Sequence, residues 1–240
     1  MQPTIDERVA CAVAFHSRLA GTWESRYRRP GFQSRLRVLG ECLRDVEIEG
    51  KQWLDAGCGS GTLSRYLAGR GGQILGVDAS AEMVRNATLP SLEPQNRCLE
   101  FRHIDSIAAL PVADCSFHGI LCSSVLEYVP DVSACLGEFA RVLRPGGRLL
   151  VSVPNRDSIV RRIQVSTYRF ARAMGRNWFP FIEYSCHEFT PRDFLNRMER
   201  FGFTTEKVIP FGSPIPQWLQ RREFAGSLLM FSAVRGRTGL

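Results

Sequence analysis

The chain has 240 residues, 44% hydrophobic and 23% charged, which is enough apolar material for the core of one domain or of one domain with a modest insertion. That balance excludes a mainly disordered protein and a disulfide-stapled miniprotein. The formal charge of +7 is unevenly spread: residues 1–50 carry 8 basic and 7 acidic side chains, residues 51–150 carry 9 and 10, and residues 151–240 carry 14 and 7, so the excess belongs to the last third.

In chain order, the start MQPTIDERVA lacks the basic-then-apolar order of a secretory signal. No apolar run approaches the roughly 18 residues of a membrane span. Eight cysteines without a CxxC pair, and four isolated histidines, give no zinc spacing, so no metal site is expected. A cytoplasmic protein with reduced thiols, touching at most a membrane surface, is the expectation. Residues 1–50 read as two helices split near Arg29-Pro30-Gly31. Short apolar runs then alternate with helical patterns. Strands are expected at Gln52–Ala56, Gln73–Asp78, Leu99–Ile104, Phe117–Ser123 and Arg148–Val153. Leu63 and Leu67 mark one intervening helix, Ser80 can cap a second, and Asp131 a third. The third has apolar positions Val132, Leu136, Phe139 and Leu143 before Pro145-Gly146-Gly147. Residues 157–175 look helical and basic, and an aromatic loop follows from Asn177 to Phe189. Thr190-Pro191-Arg192-Asp193 opens a helix that stops at Gly202. Strands at Glu206–Phe211 and Leu228–Val234 flank a short helix near Gln217–Phe224. The fold class is α/β, a Rossmann-like, mostly parallel seven-stranded sheet with helices on both faces.

Trp53-Leu54-Asp55-Ala56-Gly57-Cys58-Gly59-Ser60-Gly61-Thr62 is a strand running into a glycine turn that opens a helix. Gly76-Val77-Asp78 ends the next strand with an acid suited to two ribose hydroxyls. The ordered pair points to an adenosine-containing ligand. The spacing Gly57-x-Gly59-x-Gly61 departs from the dinucleotide turn, and Asp55 would repel a pyrophosphate but could help hold an ammonium. A phosphate-free zwitterion fits better.

These residues resemble class I S-adenosylmethionine-dependent methyltransferases, most closely over residues 45–155. The resemblance implies S-adenosylmethionine as cofactor and S-adenosylhomocysteine as product. It places Asp55, Gly57, Cys58, Gly59 and Gly61 around the methionine moiety and Asp78 on the ribose, with Ala79 and Met83 beside the adenine. His103-Ile104-Asp105-Ser106-Ile107 looks like the adenine loop, with Asp105 accepting from the exocyclic amine and Ser106 and Ile107 alongside. Ser123-Ser124-Val125-Leu126-Glu127-Tyr128 follows the fourth strand near the reactive methyl, with Ser123 on the cofactor. The implied organisation is one methyltransferase domain over 1–240: N-terminal helices to 50, a cofactor-binding core over 51–155, an acceptor-side insert over 156–190, and a C-terminal helix and strands over 191–240. Trp23-Glu24-Ser25-Arg26-Tyr27 resembles the helical lid of relatives, with Trp23 and Tyr27 facing the acceptor. Two departures stand out: His118, where an acid is common, and Tyr128, where histidine is common.

Methyl transfer from a sulfonium is an in-line displacement that an acceptor oxygen or nitrogen can assist by losing its proton to a base. His187, in the aromatic segment, is the preferred candidate, with Glu127 and Tyr128 in reserve; His16 and His103 read as structural or surface residues. Arg156, Arg161, Arg162, Arg169, Arg172 and Arg176 stand against Asp157 alone, a local +5, with Ile159, Ile163 and Phe170 at helical spacing. This segment reads as a solvated face, a lid over an acidic substrate (Arg161 and Tyr184 contacting it), or a membrane-surface element. Its arrangement is similar to that of ubiquinone-pathway O-methyltransferases. The expectation is methylation of a small-molecule hydroxyl or carboxylate, the acceptor being anionic, carrier-bound or lipid-tailed. An RNA or protein methyltransferase and a non-catalytic cofactor-binding partner remain the alternatives.

Overall fold

The computed structural model describes residues 4–89, 98–212, 219, 222 and 224–237. Seven strands, β1 Gln52–Ala56, β2 Gln73–Asp78, β3 Leu99–His103, β4 Phe117–Ser123, β5 Leu143–Pro154, β6 Phe203–Phe211 and β7 Leu228–Arg235, form one sheet in the order 3-2-1-4-5-7-6. The first five pair in parallel, and β7 lies antiparallel between β5 and β6. The helices are α1 Ile5–Trp23, α2 Pro30–Cys42, α3 Thr62–Ala68, α4 Ala81–Thr88, α5 Val132–Val142, α6 Ile159–Ala173, α7 Phe181–Tyr184 and α8 Pro191–Arg200. Short 3-10 turns follow α1 at Glu24–Arg28 and β4 at Leu126–Tyr128.

Strand alternation sorts the core into two layers. Leu54, Ile120, Leu149 and Val151 pack beneath α5 and α8, meeting Leu136, Phe139, Phe194 and Met198. Trp53, Leu121 and Leu150 face the other way, onto Val38 and Leu39 of α2 and Leu63 and Leu67 of α3. The helix starts are set by short polar side chains that take otherwise unpaired N–H groups. Thr4 and Glu7 make a reciprocal box on α1, and Ser80, Asp131, Ser158 and Thr190 cap α4, α5, α6 and α8.

A helical turn, α7, lies inside the segment expected as an aromatic loop, and two boundaries differ from expectation by three residues or more. Leu143 leaves the helical pattern of α5: its backbone is extended (φ −81°, ψ 137°), and it pairs with Phe117 as the first residue of β5. Pro145 has no N–H for the ladder, and the β4–β5 register shifts between Phe117 and Gly119. Strand β6 starts at Phe203, whose buried ring joins the α8 layer, rather than at Glu206. The short helix expected near Gln217–Phe224 falls largely outside the described residues. The strand order reverses between β2 and β4 across β1, which opens a crevice beyond the strand ends there.

Candidate active site

The glycine turn occupies that crevice. Gly57, Gly59 and Gly61 have φ of +79°, +53° and +77°, a region side chains rarely enter. A Cβ at Gly57 would overlap the Val125 side chain, and one at Gly61 would stand 2.7 Å from Phe101 Cζ. The Gly57 and Cys58 N–H groups both donate to the Val77 carbonyl, at 2.8 and 2.9 Å, which fastens the turn to β2. Asp78 completes the fastening: Oδ2 accepts from Gly59 N–H at 2.8 Å and Oδ1 from Ser80 N–H at 2.9 Å. Burial pushes this carboxyl above its usual range, and the two N–H donors oppose the shift. Each oxygen keeps acceptor capacity for a further donor. Below the turn, Asp55 is buried, takes a 2.6 Å hydrogen bond from the Ser64 hydroxyl, and is pushed up to about 7, chiefly by burial.

Helix α1 and the segment after β5 roof the crevice. Ser17 and Ser80 hydroxyls lie 2.8 Å apart, joining α1 to the start of α4. Trp23 lies over the turn, where a Cβ at Gly59 would be 3.2 Å from its Nε1. Phe15 packs on Tyr184 at 4.9 Å between centroids. Arg8 donates to the Ser185 carbonyl at 2.6 Å. The insert is in turn stitched to the turn after β4: Cys186 N–H donates to the Glu127 carbonyl at 2.7 Å, and His187 Nε2 to the Val129 carbonyl at 2.9 Å. Helix α1 thus joins residues spread along the sequence: His16 packs on Trp23 and Tyr128, and its neighbour Phe15 packs on Tyr184. Tyr27 lies edge-on to Phe32 at 5.3 Å, and Phe32 in turn edge-on to Trp23 at 5.7 Å.

Other expected residues fall at varied distances from the crevice floor. Ser123 shares a 3.2 Å hydrogen bond with Ser152 at the end of β4. The Ala79 carbonyl accepts from His103 Nε2 at 3.2 Å. Met83 is fully buried, and Ile107 joins the core under α5. Asp105 is exposed on the loop after β3, and the Ser106 hydroxyl accepts from Ala108 N–H at 3.1 Å.

The acid–base candidates are sharply distinguished. Burial drives the Tyr128 phenol upward, so it holds its proton and can donate a hydrogen bond but not serve as a ready base. Glu127 is buried with Oε2 lacking any hydrogen-bond partner, and burial pushes it up to about 7 against the opposing fields of Arg161 and Arg35. His187 borders a cleft of about 340 Å³ with Arg156, Asp193, Asn196, Arg197 and Arg200, lined by none of the glycine-turn residues. Arg161 is buried, pairs through Nε with Glu188 at 2.8 Å and lies 5.7 Å over the Phe181 ring. It walls a second cleft, of about 370 Å³, with Arg156, Arg162, Ser166 and Arg169. Sequence reasoning set His16 aside, yet its ring lies 5.3 Å from Trp23 and 5.0 Å from Tyr128. The available signal was its spacing of seven residues from Trp23, two turns along one helical face.

Fold and crevice together define an S-adenosylmethionine-dependent methyltransferase architecture of class I. The sequence matches the methyltransferase-domain family over residues 24–208, and the chain belongs to it. Its cofactor is S-adenosylmethionine. Among curated relatives, the ubiquinone biosynthesis O-methyltransferase of Xanthomonas oryzae pv. oryzae is 36% identical over 113 residues, 46% of each chain. The chain therefore aligns with about half the length of such relatives. Among solved structures, a methyltransferase from Thermotoga maritima superposes with a TM-score of 0.71 at 20% identity, covering 93% of this chain and 99% of that one. The magnesium protoporphyrin IX methyltransferase of Synechocystis PCC 6803, solved with bound S-adenosylhomocysteine, gives 0.68 at 19% identity, with 93% and 99% covered. The last two share the fold.

Proposed function

We propose that this chain moves the methyl group of S-adenosylmethionine to an oxygen of a small acceptor that enters the chamber beneath α1. The observation that carries this reading is the packing of Phe15 and His16 of α1 on Tyr184, Trp23 and Tyr128, with Trp23 over the glycine turn and Tyr128 just after β4. The crevice fits the cofactor. Gly57, Cys58, Gly59 and Gly61 leave room for the methionine moiety, Asp78 has acceptor capacity for a ribose diol, and Ala79, Met83, Asp105, Ser106 and Ile107 surround the adenine side. Ser123 sits at the reacting end. When bound, the cofactor supplies an electrophilic methyl group. The aromatic walls align the acceptor and exclude water, while Tyr128 donates a hydrogen bond within the chamber.

Asp55 would face the cofactor's ammonium, and this has a pH signature. In the free protein its carboxyl, pushed up to about 7, is protonated below that pH. A neighbouring ammonium favours the charged form, so binding at pH 6 expels a proton. Affinity should fall toward tenfold per unit as pH drops below about 7 and stay flat above it. Calorimetry in two buffers of different ionisation enthalpy reads the proton directly. Asp55→Asn should abolish the release, and a wild-type affinity independent of pH contradicts the role.

The acceptor side is cationic. Arg162 and Arg169 line the 370 Å³ cleft, and among the described residues no carboxylate lies within 4.0 Å of either. On α6, Ile159, Ile163, Phe170 and Met174 fall within a face about 60° wide, and all are exposed, Phe170 by 66%. Trp178 and Phe179, beyond the helix end, are exposed as well. An apolar stripe flanked by arginines supports a second reading, peripheral contact with an anionic membrane that presents a lipid-tailed acceptor. No helix among the described residues is long and apolar enough to cross a membrane.

One assay tests both readings. Labelled methyl transfer is followed to soluble phenolic and carboxylate acceptors, and to lipid-tailed phenols in anionic vesicles. Transfer to oxygen supports the function, and transfer only to RNA or protein defeats it. Arg162→Glu with Arg169→Glu should lower vesicle-presented turnover at least tenfold while sparing soluble acceptors. Equal losses on both would remove the membrane from the account.

A further inference from the structure

His16 lies on α1 between the rings of Trp23 and Tyr128. Its Nδ1 lies 2.8 Å from the Ala12 carbonyl, and a carbonyl oxygen can only accept, so Nδ1 carries the proton. The tautomer is thereby fixed, and Nε2 is left with its lone pair. The ring is held edge-on by Trp23 (71° between planes) and by Tyr128 (68°), and it packs on Phe15 at 5.2 Å. This is a rigid imidazole on a helix fastened at both ends of the chamber, by the Ser17–Ser80 contact and by Arg8 on the Ser185 carbonyl. His187, in contrast, spends Nε2 on the Val129 carbonyl and borders the α8 cleft. Two charged groups act on His16. Asp78, at the end of β2, favours its protonated form, and Arg26, on the turn after α1, disfavours it; the Tyr128 phenol from the turn after β4 is neutral. Burial outweighs these and holds the imidazole below its usual value, in the neutral form that can accept a proton.

We propose that His16 is the general base for methyl transfer to a hydroxyl acceptor in this chamber; the inference rests on the function proposed above. The acceptor oxygen forms its bond to the methyl carbon as the carbon–sulfur bond breaks, and sulfur keeps that electron pair. The electron pair of the O–H bond stays on oxygen, and its proton passes to His16 Nε2. The imidazolium then returns the proton to solvent.

The test uses the full-length protein and two cofactor analogues. Sinefungin carries an ammonium where the transferable methyl group stands, and S-adenosylhomocysteine carries none. Titration of the His16 ring by NMR, assigned with His16→Gln, should give a pKa at least half a unit lower in the sinefungin complex, because a cation at the methyl position opposes a second one on the ring. His118, at the opposite end of β4, should titrate alike in both complexes. His16→Gln should keep S-adenosylhomocysteine affinity within about twofold, lower turnover of a phenolic acceptor about 100-fold, and remove the acidic limb of its pH profile. Equal His16 values in the two complexes overturn the base while leaving the cofactor site intact. Failure of both analogues to bind overturns the functional reading and this inference with it.

Discussion

Asp78→Ala should raise the dissociation constant for S-adenosylmethionine by at least about 100-fold, or about 2.7 kcal/mol. The residue has two tasks. Its carboxylate offers acceptors to two ribose hydroxyls, and charge-assisted hydrogen bonds of that kind contribute about 1.5–3 kcal/mol each. It also fixes the turn that faces the cofactor, since Gly59 and Ser80 N–H groups both end on it. Alanine removes the ribose acceptors and frees the turn at once. Asparagine retains a single acceptor oxygen and should fall between the two. Because alanine also leaves the Gly59 and Ser80 N–H groups without their acceptor, its melting temperature is measured beside its affinity, which separates lost binding from lost folding. Unchanged affinity by calorimetry would refute the cofactor assignment at this residue.

Gly57→Ala should lower unfolding free energy by about 3 kcal/mol. Overpacking against a filled neighbour costs about 1–3 kcal/mol, and a left-handed φ adds roughly 1–2 kcal/mol for a residue with a Cβ. Both apply, since the new methyl would collide with Val125 at φ +79°. The two causes can be separated. Val125→Ala in the same chain should return the steric share and leave the backbone share, so the double variant recovers about half of the loss. Urea unfolding midpoints measure this, and a single variant as stable as wild type would mean that Val125 does not press on the turn.

The legible parts of this protein are those written in adjacent residues. The glycine turn, the acid closing β2, the caps at Ser80, Asp131 and Thr190, and the alternation of strands one to five all depend on neighbours within a few positions. What escaped is what distant segments decide. Leu143 fits the α5 period as well as any residue, and only its pairing with Phe117 on a neighbouring strand makes it β5. Arg161 looks like a free cation in a basic run, until Glu188 from the far end of the insert takes its Nε. His16 and Tyr128 lie over a hundred residues apart, and neither sequence neighbourhood hints at their contact. Conversely, His187 stands in a suggestive aromatic context but has one ring nitrogen tied to a main-chain carbonyl.

Helix α1 touches Ser80 at one point and the Ser185 carbonyl at another. A helix is stiff along its axis, so α1 braces the start of α4 and the segment after α7 against one another, although the two lie about a hundred residues apart in the sequence.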